Sequence, residues 1–181
     1  MIAHLLVRER SVFAAAGIAI KPLAGHTDRV RQKLRDEVPF AELVDRFRGE
    51  PPKWSVINWG PVDDLTNAIE YFVHTEDVRR AAVDWKPRII DPKLQDALWR
   101  RLVRGSRIYL RGFRGTVELR RADTGEVVRT GSSDAAADVE VTGLPGELLM
   151  FASNRKDHAD VQLTGDPDAI ARLRATRLGW F

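Results

Sequence analysis

VDDLTNAIEYFVHTEDVRRAAV, residues 62–83, is the stretch on which the reading of the fold turns. It predicts one long helix. Asp63 and Asp64 suit the positive N-terminal end of its dipole, and Arg79 and Arg80 suit its last turns. Upstream, residues 1–16 read as a helix that begins on Ile2, Leu5 and Leu6 and ends near Gly17. Thr27 is a candidate N-cap for a second helix carrying Val30 and Leu34. Pro39 opens a third, striped by Phe40, Leu43, Val44 and Phe47 and closed by Gly49. A loop with Trp54 and Trp59 then leads into the long helix. Downstream, Asp91 to about Val103 forms another helix, with Leu94, Ala97, Leu98 and Leu102 inward. After Gly105 the period changes to that of strands, at Ile108 and Leu110 and again at Val117 and Leu119. The turn at Ala122–Gly125 makes residues 116–130 a hairpin. Val139 and Val141 mark a third strand, Leu148 to about Ser153 a short helix begun by Pro145, and Val161 and Leu163 a fourth strand. Asp166 and Pro167 cap and open a closing helix. The expected class is α+β: a helical domain over 1–104, then a small α+β domain over 105–181.

Composition narrows the functions. The chain has 181 residues, enough for one domain or two small ones. Apolar residues make up 44% and charged residues 30%, ordinary for a globular protein, and no apolar run reaches the roughly 20 residues of a membrane span. Cysteine is absent, which excludes disulfides, a cysteine nucleophile and thiolate metal sites. Any thiol chemistry must therefore use a thiol supplied from outside. No export signal opens the sequence, so a cytoplasmic protein is expected. The net charge is only +3, with 18 basic against 15 acidic residues over 1–104 and 11 against 11 over 105–181. No basic block of five or more occurs, so neither nucleic acid nor membrane is expected as a partner. Arginine outnumbers lysine 23 to 6, which reads as the habit of a GC-rich genome.

Few residues can carry chemistry. There are four histidines, and no nucleophile elbow, dinucleotide fingerprint or P-loop. The best constellation is Glu70 and His74, which a spacing of four places on one helical face, one turn apart. A carboxylate oxygen and an imidazole nitrogen so placed can share a divalent ion, given a further ligand. His4, on another expected helix, is a candidate third ligand. Asp77, three residues on, could orient a ligand from behind. The same spacing also arises in ordinary solvated helix pairs. His26 reads as a helix-start residue and His158 as a loop residue.

The run from Asn58 to Ala81, with EYFVHTEDVRRA at its centre, resembles the DinB-like metal-binding domain of the mycothiol-dependent maleylpyruvate isomerase family. The match is nearest to an actinobacterial subgroup described only as metal-binding. There a second histidine follows the first, where this chain has Thr75. AHLLVRER (3–10) resembles the family's first ligand segment, and LAGHT (23–27) fits the subgroup. LPGELLMFASNR (144–155) with VQLTGD (161–166) resembles the family's sterol-carrier-like C-terminal domain. The resemblance implies a four-helix bundle holding zinc, or another divalent metal, through His4, Glu70 and His74. It implies mycothiol as cosubstrate, a small electrophile as its partner, and Arg155 as a catalytic anion contact. Family members carry a full helix before the first histidine segment. A start upstream of Met1, by roughly 25–30 residues, is therefore expected.

The expected function is a zinc-binding, mycothiol-linked isomerase or thiol transferase, monomeric or homodimeric. The alternative is a non-catalytic module that binds a metal or a ligand. A nuclease is disfavoured, since no acidic two-metal cluster is present.

Overall fold

The structure is a computed structural model that describes residues 3, 6–7, 24–49, 61–131 and 136–179, with the side chains at 24, 26, 27 and 61–68 outside that description. Six α-helices and a four-stranded mixed sheet are seen among the described residues, an α+β architecture. In chain order they are α1 (Ala24–Glu37), α2 (Phe40–Arg48), α3 (Pro61–Arg79), α4 (Pro92–Tyr109), β1 (Val117–Arg121), β2 (Val127–Thr130), β3 (Val139–Gly143), α5 (Pro145–Ala152), β4 (Gln162–Gly165) and α6 (Pro167–Ala175). No helix among the described residues is long and apolar enough to cross a membrane.

The chain divides into two compact units, 1–74 and 75–181. The sequence places the change of period at 104/105. The unit boundary falls earlier because α4, helical though it is, packs on α5 and β2.

In the first unit, Ala3, Leu6, Val7, Leu43, Ile69, Phe72 and Val73 are buried. Pro39, expected in the first turn, stands one residue earlier as the N-cap of α2, and Gly49 closes the helix by donating its N–H to Asp45 O at 3.1 Å. Phe47 meets Tyr71 edge-on, ring centroids 6.0 Å apart. The expected N-cap at Thr27 is not one, since α1 starts at Ala24 and Thr27 lies within its first turn. Glycine in a helix costs only about 1 kcal/mol against alanine, so Gly25 does not bar the helix from including it.

In the second unit the sheet order is β2-β1-β3-β4. The hairpin partners β1 and β2 are antiparallel, β1 and β3 parallel, β3 and β4 antiparallel. Gly125 makes the hairpin turn with φ +76 and donates its N–H to Arg121 O at 3.0 Å. One sheet face carries Val117, Leu119, Val139 and Val141, all with no solvent exposure, and the α5 residues Leu148 to Ala152 are equally buried. The other face carries a charge ladder in which Arg120 joins Glu118 (2.5 Å) to Glu140 (2.8 Å) and Arg129 reaches Glu118 at 2.7 Å. Asp166 caps α6 by accepting the Ala169 N–H at 2.7 Å, with Pro167 in the first turn as the sequence predicts.

Two helix ends differ from expectation. The long helix stops at Arg79 rather than Val83; past Arg80 the residues 81–84 are all exposed, so a further turn there would bury no apolar side chain. The strand expected at Ile108 and Leu110 is instead the end of α4. Ser106 and Tyr109 extend its buried stripe past Gly105, where the Tyr109 ring lies against the glycine. A Cβ on Gly105 would stand 2.7 Å from Tyr109 Cε2, so this glycine makes room for packing rather than ending the helix.

Candidate functional site

Glu70 and His74 face each other on α3 as their spacing requires. His74 Nε2 lies 3.2 Å from Glu70 Oε2, and their side chains are 15% and 8% exposed. The same helical segment buries Ile69, Phe72 and Val73. A carboxylate withdrawn this far from water needs a compensating hydrogen bond or positive charge. The pair therefore offers one oxygen and one nitrogen donor of the kinds that hold zinc and similar divalent ions. No group of three or more metal-binding side chains occurs among the described residues. A catalytic zinc takes three protein ligands. The donor types fit, and a third would have to come from elsewhere. His4, the ligand that the resemblance implies, lies outside the described residues, as do Trp54 and Trp59. Thr75 is exposed. The side chain of His26 is outside the description, and His158 is exposed on a one-turn 3-10 helix, Lys156–His158.

Arg155 and Asp77 are brought together in the second unit. Arg155 Nε and NH2 donate to the two Asp77 oxygens at 2.9 and 2.8 Å, and NH1 donates to Ser153 O at 2.7 Å. This is the fork-to-carboxylate geometry that arginine favours. The carboxylate that Arg155 grips is one from its own chain. The same bond gives Asp77 a task other than orienting a ligand from behind.

A larger ionic cluster was not legible in the sequence. Arg80, 2% exposed, donates to Glu147 through NH1 (2.7 Å) and NH2 (2.6 Å), to Glu76 through Nε (2.9 Å), and to His158 O. Glu76 has no exposure and also receives Arg79 at 3.0 Å and Arg88 at 2.7 Å. Glu147 accepts the Asp160 N–H at 2.9 Å, and the Trp85 ring lies 4.7 Å from the Arg80 guanidinium. Burial pushes the Glu76 carboxyl up, but the hydrogen bond and charge of Arg80, with Arg79 and Arg88, outweigh it and hold it below its ordinary value. Burial likewise favours the neutral form of Arg80, and its two carboxylate partners reverse the effect, so its pKa is raised. The only sequence signal was a pair of acids among the apolar runs of α3 and α5.

Lys156 sits over the last turn of α6. Its Nζ donates to Leu173 O (2.7 Å), Arg174 O (2.9 Å) and Thr176 O, closing carbonyls that a helix C-terminus leaves open. Burial lowers its pKa.

No family model, curated protein or solved structure matches the chain. Fold and site define an α+β protein of two compact units with a largely buried Glu–His pair on the longest helix among the described residues.

Proposed function

We propose that this chain binds zinc, or another divalent metal, and belongs to the mycothiol-dependent isomerase and thiol-transferase type. The observation that carries the reading is the withdrawal of Glu70 and His74 together from solvent, donor to donor at 3.2 Å. Glu70, His74 and His4 would be the ligands. The chemistry a bound metal supplies is the lowering of an external thiol's pKa, so that the thiol reacts as a thiolate with a small electrophile. In this reading Glu70 contributes the negative charge that offsets the cation, and His74 serves as a neutral imidazole donor. Ile69 and Val73, buried on the same helix, keep the surroundings of α3 apolar. The absence of cysteine agrees with a thiol that arrives as cosubstrate. The helical part would be DinB-like and the C-terminal part sterol-carrier-like, in a cytoplasmic monomer or homodimer.

The second reading is a non-catalytic module that binds a metal or a ligand. It is favoured by Arg155, since a substrate anion would have to compete with Asp77 for the guanidinium fork. Elemental analysis tests the metal. Protein purified without chelators or a His tag should hold about one zinc per chain, and His74→Ala and Glu70→Gln should lose it. Full zinc retained in both variants would remove the ligand assignment. Zinc bound with no mycothiol binding in calorimetry would favour the module.

A further inference from the structure

Twelve of the sixteen arginines of the second unit separate by whether they touch a carboxylate. Arg79, Arg80, Arg88, Arg120, Arg121, Arg129 and Arg155 each reach a carboxylate. The side chains of Arg100, Arg104, Arg107, Arg111 and Arg114 are exposed and reach none among the described residues. The first three lie along one face of α4. At 3.6 residues per turn they fall within about 60° of arc and span roughly 10 Å of helix axis. The opposite face carries Leu98, Leu102, Ser106 and Tyr109, all buried. Arg111 and Arg114 follow in the turns just past the helix end, both exposed. Residues 97–117 hold six arginines and no acid, so nothing on this segment offsets their mutual repulsion. Arg114, together with Arg172 from α6, lines a cleft of about 390 Å³ that Phe113 and Thr176 also line. A net charge of +3 conceals this concentration, because the compensating acids sit elsewhere in the chain.

We propose that the arginine face of α4, with the Arg114–Arg172 cleft, docks the phosphodiester backbone of nucleic acid without regard to base sequence. Guanidinium groups pair with phosphate in a bidentate way, and a basic row along a helix is the electrostatic footprint of backbone binding. A flat lipid surface fits less well. Trp99 and Tyr109, the aromatic residues of α4 that could anchor at a bilayer interface, are buried, and Arg114 lines a cleft with Arg172. This surface is independent of the Glu70–His74 reading.

The test is fluorescence anisotropy of the full chain with a labelled duplex of about 20 base pairs and a single strand of equal length, between about 50 and 200 mM salt. Both should bind, and on the duplex log K should fall against log salt with a slope of about −4 to −5, as neutralising four to six phosphates requires. Arg104→Ala/Arg107→Ala should make that slope shallower by about 2. Arg104→Lys/Arg107→Lys should keep it, and Arg120→Ala, on the sheet, should leave it unchanged. No binding at the lowest salt, or an unchanged slope in the double alanine variant with circular dichroism intact, would overturn the proposal. So would binding to phosphatidylserine vesicles with none to either nucleic acid, which would make the face a membrane surface.

Discussion

Arg80 shows how one residue can bind a unit together. Its guanidinium serves two buried carboxylates and one carbonyl, which come from α3, α5 and the 156–158 turn. Removing one partner of such a cluster leaves a buried charge without its counter-charge. Arg80→Ala and Glu147→Ala should each cost about 3–5 kcal/mol in denaturant unfolding. Arg35→Ala, at a pair open to solvent, should leave the midpoint in place. The cluster also sets an acid limb. The folded pKa of Glu76 lies below its unfolded value of 4.5, so the native state binds fewer protons than the unfolded one near that pH. Its contribution to stability is complete above the unfolded value and is lost as pH falls through the folded one. Stability measured by urea unfolding should therefore drop below about pH 4.5, and Glu76→Gln should flatten that drop.

At the scale of elements, local signals and packing can disagree. The caps at Asp166 and Gly49 were legible because each acts within three or four residues of the chain. Gly105 was misread because its meaning lies in the ring of Tyr109 packed against it. Gly105→Ala isolates that meaning. Alanine in a helix interior normally gains about 1 kcal/mol over glycine. Here the Cβ would meet a ring that is itself 3% exposed, and overpacking of this kind costs about 1–3 kcal/mol. The single change should lower stability. In a Tyr109→Leu background it should raise stability by about 1 kcal/mol, a reversal that thermal melts can read. The helix α5 makes the same point, since its own Leu144 provides no cap. The Gly146 N–H is instead taken at 2.9 Å by Gln95 Oε1, fifty-one residues earlier in the chain.

At the scale of the whole molecule, the proposed metal site belongs to the first unit and the buried ionic cluster to the second. A ligand that binds only the native state raises its stability with concentration. Zinc should therefore raise the melting midpoint of the wild type in a dose-dependent way, EDTA should reverse the rise, and Glu70→Gln should abolish it. The amino-acid sequence by itself determined the α+β class, the hairpin, the capped start of α6 and the one-turn neighbourhood of Glu70 and His74. Each of these depends on residues close along the chain, where period, turn chemistry and cap chemistry act. Only the tertiary structure decided that Arg155 grips Asp77, that Arg80 joins Glu76 to Glu147, that α4 belongs with the sheet, and that Arg100, Arg104, Arg107, Arg111 and Arg114 reach no carboxylate among the described residues. Those outcomes depend on which distant charges meet when the core closes, and spacing along a chain carries no record of distance across it.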